Sequence, residues 1–93
     1  MFKIEIIHNK EILKILKSLM QTDALFGFTS LNVCEGYGPL KGEYKEDHIG
    51  DEQYLSVILL EKESKANKLI KTLRQKAPVN KFIALKSSVE VYE

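Results

Sequence analysis

Tyr54-Leu-Ser-Val-Ile-Leu-Leu60 is the stretch that decides the fold of this chain. Aromatic and β-branched residues are enriched in strands, so the run predicts a β-strand. Its apolar residues fall on both sides of such a strand, with Leu55, Val57 and Leu59 on one side and Ile58 and Leu60 on the other. A strand that is apolar on both sides belongs to a sheet that is covered on both faces.

The segments around this strand predict two amphipathic helices. Ser64 is suited to cap a helix that ends before Pro78, because proline cannot continue the backbone hydrogen bonding. The apolar stripe of that helix has helical spacing and comprises Ala66, Leu69, Ile70, Leu73 and Ala77. Asn9 is suited to cap an earlier helix that runs to about Met20. The stripe of this first helix comprises Ile12, Leu13, Leu16, Leu19 and Met20.

Three further strands complete the expected order of elements. The chain starts with a period-2 pattern in which Phe2, Ile4 and Ile6 share one side. A second strand is predicted at 28–33 and a fourth at 82–85 and 89–92, where the polar residues 86–88 could interrupt it. Strand, helix, strand, strand, helix, strand is the ferredoxin-like βαββαβ order. We therefore predict one α+β domain over 1–93, with a four-stranded antiparallel sheet and two helices on one face.

The sheet face away from the helices is expected to be apolar too. It would draw on several members of a set whose register the sequence leaves open, namely Ile7, Ile58, Leu60, Ile83 and Leu85. An exposed apolar surface of this kind usually meets another subunit. The alternative is that the chain's own C-terminal segment covers it.

Composition excludes several classes of function. The chain has 93 residues, a formal net charge of +1 and 29% charged residues, which gives no support for a nucleic-acid partner. Cys34 is the only cysteine and has no partner for an internal disulfide, which suits a reducing compartment. The apolar runs are too short for a signal peptide or a membrane span. We therefore expect a cytoplasmic protein that is not an integral membrane protein.

Gly36-Tyr-Gly-Pro-Leu-Lys-Gly42 is the stretch most suited to a ligand. Glycines let a ligand approach the main chain closely, and consecutive N–H groups beside Lys41 suit an anion. The spacing G-x-G-x-x-x-G misses the dinucleotide-binding fingerprint by one residue and leads into a polar loop instead of a helix. The sequence thus indicates an anion site here, with a plain flexible connection as the alternative.

The run from Gly27 to Gly42 resembles the second strand and T-loop entry of the PII signalling proteins. The likeness is carried by Gly27-Phe-Thr29 at the strand start and by the Gly-aromatic-Gly-x-x-Lys-Gly stretch that follows. The later strands and the second helix fall in the family's order, so the resemblance covers nearly the whole chain. It implies a homotrimer whose subunit clefts bind adenine nucleotides and whose T-loop docks onto a transporter or an enzyme.

The resemblance also implies a set of ligand-binding residues and a set of effectors. Carried over position by position, the ligand-binding residues are Thr29, Gly36, Tyr37, Gly38, Lys41, Gly42 and Lys81. The implied effectors are an adenine nucleotide (ADP, AMP or ATP) or bicarbonate. Bicarbonate is included because some divergent PII-like proteins accompany carboxysomes or bicarbonate uptake, while others accompany heavy-metal efflux. The docking element would be the loop 36–51.

Two departures mark this chain as a divergent PII-like member. Classical members have a glycine-rich segment before the last strand, whereas 75–81 contains no glycine here. They also carry arginines after the last strand, whereas no arginine follows Arg74 in this chain. Both departures weaken the case for triphosphate binding in particular.

Two alternatives of other classes remain open at this point. His48, with Asp47 and Asp51, could bind a divalent metal, because imidazole and carboxylate groups suit zinc, nickel or manganese. The protein would then be a metal-binding accessory protein linked to cation efflux or homeostasis. The other alternative is a trimeric interaction module with no ligand.

An enzyme is not expected. No motif places either histidine, His8 or His48, beside a serine nucleophile. An acylphosphatase would share the fold, but it needs an arginine in a phosphate-binding loop near the N-terminus, and Arg74 is the only arginine. His8 and Cys34 are not expected to pair, because the third strand separates the first from the second. Cys34 is instead expected to be a small packing residue.

Overall fold

The computed structural model describes residues 1–22, 27–34, 53–80 and 82–92. Four strands form one sheet in the order β2-β3-β1-β4, and every neighbouring pair is antiparallel. The ferredoxin-like α+β prediction is confirmed; the assignment of 1–93 to a single domain stays a prediction. The elements in chain order are β1 Phe2–His8, α1 Lys10–Thr22, β2 Gly27–Asn32, β3 Tyr54–Leu60, α2 Glu63–Lys76 and β4 Ile83–Ser88.

The strand register decides which side chains face the helices. Ile4 lies opposite Ile58, and Phe2 lies opposite Leu60, so these residues share one face of the sheet. That face packs against both helices in a single core. Ile58 and Leu60 are therefore buried on the helix side, and the expectation that they could lie on the other face is wrong. The core comprises Ile4, Ile6, Ile12, Leu16, Leu19, Ile58, Leu60, Ala66, Leu69, Leu73, Ala77 and Phe82.

The opposite face is apolar and carries no covering element among the described residues. Ile7 lies opposite Leu55 on β3 and Ile83 on β4, and it is 40% exposed. Leu31 and Leu85 are 56% and 59% exposed. We call this surface the open sheet face, and it comprises Ile7, Leu31, Leu55, Val57, Leu59, Ile83 and Leu85. The prediction of a second apolar face is confirmed, with Ile7, Ile83 and Leu85 as the correctly assigned members.

The helix starts agree with the sequence in one case and differ in the other. Asn9 caps α1, because its side-chain Oδ1 accepts a hydrogen bond from the Ile12 backbone N–H at 3.1 Å. The prediction that Ser64 caps α2 is wrong. Lys62 holds the cap position with an extended backbone and no side-chain hydrogen bond, and Ser64 lies inside the first turn. Glu63 occupies the first helical position, where its negative charge interacts favourably with the positive end of the helix dipole.

The last strand, β4, runs without a break through 86–88, where the sequence left an interruption open. Lys86 lies within β4 and extends its ammonium group over α2, where it donates to Asn67 Oδ1 at 2.8 Å and pairs with Glu63 at 3.7 Å. The Lys86 backbone thus remains paired with β1 while its side chain bonds to α2. Residues 89–92 form no strand, although the Val89 N–H donates to the Met1 carbonyl at 3.0 Å.

Candidate functional site

The two ends of the segment that contains the predicted loop 36–51 meet at one end of the sheet. The Val33 backbone N–H, just after β2, donates to the Gln53 carbonyl, just before β3, at 2.9 Å. Asn32 and Tyr54 form the adjacent cross-strand pair. A loop whose ends are fixed in this way is presented at a defined place, whatever its own conformation.

A chain of buried and partly buried polar side chains lies at the same end of the sheet, on the helix side. His8 is the last residue of β1, and its Nε2 lies 2.6 Å from the Ser56 hydroxyl of β3. The Ser56 and Ser30 hydroxyl oxygens are hydrogen-bonded at 3.1 Å, which extends the chain to β2. The Tyr54 ring stacks on the His8 ring with centroids 5.8 Å apart. His8 and Ser56 are both buried, so three strands are joined by one polar chain within the protein.

The partners of His8 determine its tautomer. Nδ1 lies 2.8 Å from the Asn9 carbonyl oxygen, which can only accept, so Nδ1 carries a hydrogen. In the neutral ring, Nε2 then accepts the single hydrogen of the Ser56 hydroxyl, and the Ser56 oxygen is left to accept from Ser30. Burial lowers the pKa of His8, and the hydrogen bond to the Asn9 carbonyl partly opposes that shift. The neutral ring is therefore the form that the fold favours.

Asn9 connects this chain to the turn between α2 and β4. Its side-chain amide donates to Asn80 Oδ1 at 3.0 Å, while its own Oδ1 caps α1. The Asn80 backbone N–H donates to the Ala77 carbonyl at 3.2 Å, which closes the turn. We call the whole arrangement the polar end of the sheet, and it comprises His8, Asn9, Ser30, Ser56 and Asn80. The polar end of the sheet thus connects Asn80, which directly precedes the predicted ligand-binding residue Lys81, to β2 and β3, the strands that flank the loop 36–51.

One of the residues that the PII resemblance implies lies within the described part of the chain. Thr29 is exposed on β2 and lies opposite Val57, on the side of the open sheet face. It therefore points away from the polar end, which the helices cover. The other implied residues, Gly36, Tyr37, Gly38, Lys41, Gly42 and Lys81, lie outside the described residues, and the same holds for the suggested metal ligands His48, Asp47 and Asp51. Their roles stay predictions.

The polar end itself was not expected from the sequence. The sequence does show a histidine at the end of an otherwise apolar strand and serines in two other apolar strands. Whether these side chains meet depends on the strand register, which the sequence does not show. β3 does separate His8 from β2, as predicted, and Ser56 of β3 bridges that gap. Because Ser56 and His8 are both buried, their geometry indicates a structural pair and gives no opening for a substrate. Cys34 is exposed, so its expected packing role is wrong.

The described residues offer neither a metal centre nor a membrane-spanning helix. They contain no group of three histidine, cysteine, aspartate or glutamate side chains that could hold a metal ion. Neither of the two described helices is long and apolar enough to cross a membrane.

Comparisons with known proteins place the fold. No family model and no curated protein matches the chain. Among solved structures, it matches CPII from Thiomonas intermedia K12 bound to ADP, AMP and acetate, with 16% identity, a TM-score of 0.74, and coverage of 99% of this chain and 88% of that one. It also matches a protein from Thermus thermophilus described as PII-like signalling, with 21% identity, a TM-score of 0.62, and coverage of 92% and 83%. The chain has the PII-like fold.

A third neighbour shows how widely this fold is shared. CutA from Pyrococcus horikoshii matches with 14% identity and a TM-score of 0.68 over 100% of this chain and 88% of that one. Identities this low establish the fold and leave the function to be argued from the residues. The recognition of a PII-like chain from Gly27 to Gly42 is thus confirmed at the level of the fold.

Burial of His8 predicts a pH dependence of stability. In the folded protein the pKa of His8 lies below its ordinary value of 6.5, so near that value the unfolded chain binds the proton more readily. The free energy of unfolding should therefore be unaffected by His8 above pH 6.5 and should fall as the pH drops below it. We expect denaturant midpoints of wild type to drop from about pH 7.5 to about pH 5.5, and His8→Gln to lose part of that drop.

The control for this prediction is the other histidine. His48→Gln removes the histidine of the predicted loop 36–51, and this variant should keep the pH dependence of wild type. If His8→Gln and wild type lose equal stability between the two pH values, carboxylates and not His8 cause the change.

Proposed function

We propose that this chain is a cytoplasmic PII-like regulatory protein. It forms a homotrimer, senses a small anionic effector at the clefts between subunits, and docks to a partner through the loop 36–51. The effector is an adenine nucleotide or bicarbonate, and the partner is a transporter or an enzyme. The role is regulatory and not catalytic.

The observation that carries this proposal is the PII-like fold combined with an open sheet face. CPII, the neighbour from Thiomonas intermedia, is described as a nitrogen regulatory PII-like protein and has been solved with ADP and bicarbonate, at 18% identity and a TM-score of 0.70 over 97% of this chain and 86% of that one. Those ligands are small anions, the class that Gly36–Gly42 and Lys41 suit. The neighbour's ligands therefore agree with the chemistry that the sequence offers.

The open sheet face supports an assembly through the sheet. Seven apolar side chains from all four strands share it, and three of them are at least 40% exposed in the single chain. A contiguous apolar surface of this kind is a common mark of subunit contact. Lys3 and Glu5 lie on the same face and pair at 3.2 Å, so their charges are already compensated before a second subunit covers them. Thr29 lies on this face as well, so an assembly through the sheet would bring it to the contact between subunits.

The polar end supports the docking role of the loop. The hydrogen bond between Val33 and Gln53 fixes both ends of the segment 34–52, and the chain of His8, Ser56 and Ser30 holds the flanking strands in register. A loop whose two ends are fixed can change its conformation when a ligand binds without disturbing the sheet. Ordering or releasing a loop in this way is a known means of switching the contact with a partner protein.

Isothermal titration tests the effector directly. We expect ADP, AMP or ATP, or bicarbonate, to bind the trimer with measurable heat. Zinc, nickel and manganese chlorides, titrated in the same buffer, form the comparison series. Heat from a metal alone would favour the metal-binding accessory protein. No heat from any of these compounds would overturn the sensing role and leave the ligand-free interaction module.

A further inference from the structure

Helix α1 presents a row of lysines to solvent. Lys10, Lys14 and Lys17 are all exposed and follow one another at i, i+4 and i+7, which places them on one side of the helix. The buried residues of α1, Ile12 and Leu16 among them, lie on the other side. The lysine row therefore points away from the sheet.

Helix α2 continues this pattern. Lys68 and Lys71 are exposed on the side opposite the buried Leu69 and Leu73, with Lys65 and Lys76 beside them. On the flank of α2 toward β4, Arg74 does not join this surface, because its guanidinium carbon lies over the Phe82 ring, 4.7 Å from the ring centroid. We call the outer surface of the two helices the lysine face, and it comprises Lys10, Lys14, Lys17, Lys65, Lys68, Lys71 and Lys76.

Only a small part of the charge of the lysine face is compensated within the two helices. Together they carry eight basic and two acidic residues. Glu11 pairs with Lys14 of the lysine face at 3.7 Å, whereas Glu63 pairs with Lys86 of β4 at 3.7 Å, outside the lysine face. The net charge of the whole chain is only +1, and its segment 35–52 holds six acidic residues against two lysines. The small net charge therefore hides a strongly basic surface.

We propose that the lysine face binds the surface of a membrane rich in anionic lipid. Its charges are compact ammonium groups on flexible stems, which suit a diffuse negative surface better than the planar, bidentate recognition that arginine provides. The face carries no aromatic side chain on which bases could stack. It spans two helices of 13 and 14 residues, each about 20 Å long, and so forms a broad surface instead of a groove. A broad lysine surface without an apolar anchor fits reversible, electrostatic membrane contact.

The lysine face and the open sheet face lie on opposite sides of the molecule. Assembly through the sheet would therefore leave the lysines available. Membrane contact through the helices does not depend on an effector at the loop, so this inference stands apart from the proposed function.

Sedimentation with large unilamellar vesicles tests the proposal on the full chain. We expect binding to vesicles of phosphatidylcholine and phosphatidylserine (about 2:1) at about 50 mM NaCl, little binding to pure phosphatidylcholine, and release at about 500 mM NaCl, because salt screens exposed charges. Each lysine near an anionic surface contributes about a fivefold change in affinity, so the charge reversal Lys68→Glu should weaken binding roughly tenfold or more. The position is exposed, and the circular dichroism spectrum should not change.

The matched control is Lys45→Glu, which makes the same change in net charge in the segment 35–52. It should bind the vesicles within about a factor of two of wild type. Equal losses in Lys68→Glu and Lys45→Glu would show that total charge, and not the lysine face, drives binding, and would overturn the proposal. Absence of binding to the anionic vesicles would overturn it too, as would tighter binding to a duplex RNA or DNA at the same salt.

Discussion

Ile7→Asp is expected to convert a trimer of this protein into a monomer. Ile7 lies on the inner strand β1, between Leu55 and Ile83 on the open sheet face. In the single chain it is 40% exposed, so an aspartate there keeps contact with water. In an assembly that buries this face, the same carboxylate would lose its hydration among apolar side chains, at a cost of several kcal/mol.

Light scattering coupled to gel filtration measures the effect. Wild type should elute with a mass of three chains of 10.7 kDa each, and Ile7→Asp should elute with the mass of one. The control is Met20→Asp, because Met20 is 38% exposed and lies on α1, away from the open sheet face. It should keep the trimer mass.

A second variant guards against a monomer that fails to fold. Leu85→Asp changes a residue that is 59% exposed on the edge strand β4, where a polar residue disturbs the sheet less. It should also dissociate the trimer while keeping the circular dichroism spectrum of wild type. A wild-type chain that is monomeric at micromolar concentration would remove the cleft between subunits and, with it, the proposed effector site.

Local sequence signals predicted most of the elements. The run Tyr54–Leu60 forms β3 with the expected bounds, because its apolar residues on both faces leave no other placement. Asn9 caps α1 as expected, because a side-chain acceptor directly before an apolar stripe is a specific signal. The same kind of signal was wrong at Ser64, because the cap position lies two residues earlier, at Lys62, which makes no side-chain cap. A cap residue thus indicates a helix start only to within a residue or two.

The contacts that depend on strand register could not be predicted from the sequence. The sequence leaves open which face of the sheet Ile58 and Leu60 occupy, because a shift by one residue exchanges the two faces of a strand. The polar end is of the same kind, since Ser56 reaches His8 and Ser30 only once β1, β2 and β3 are paired in their observed register. The sequence left open an interruption at 86–88, and the bond from Lys86 to Asn67, in a helix distant in the chain, is likewise a contact that it does not show. The roles of all the predicted ligand-binding residues stay predictions from the sequence, and Thr29 is the one among them whose position the structure describes.

Lys41→Ala is expected to weaken effector binding roughly ten- to a hundredfold. The stretch Gly36–Gly42 begins two residues after Cys34, and the bond between Val33 and Gln53 fixes its base at the end of β2. A lysine that contacts an anion makes a charge-assisted hydrogen bond worth about 1.5 to 3 kcal/mol, which corresponds to that range of affinity. The measurement is isothermal titration of ADP and of bicarbonate into wild type and variant.

Two further variants decide whether the glycine stretch itself holds the anion. Gly38→Val should impair binding as well, because a branched side chain hinders the approach of the ligand to the main chain. Lys45→Ala, four residues beyond Lys41, removes the same charge and should leave the affinity nearly unchanged. None of the three positions belongs to the described core or to the open sheet face, so the trimer mass should survive in all of them. If ADP and bicarbonate bind all four proteins equally, the effector site lies elsewhere, and Thr29 on the open sheet face becomes the place from which to search for it.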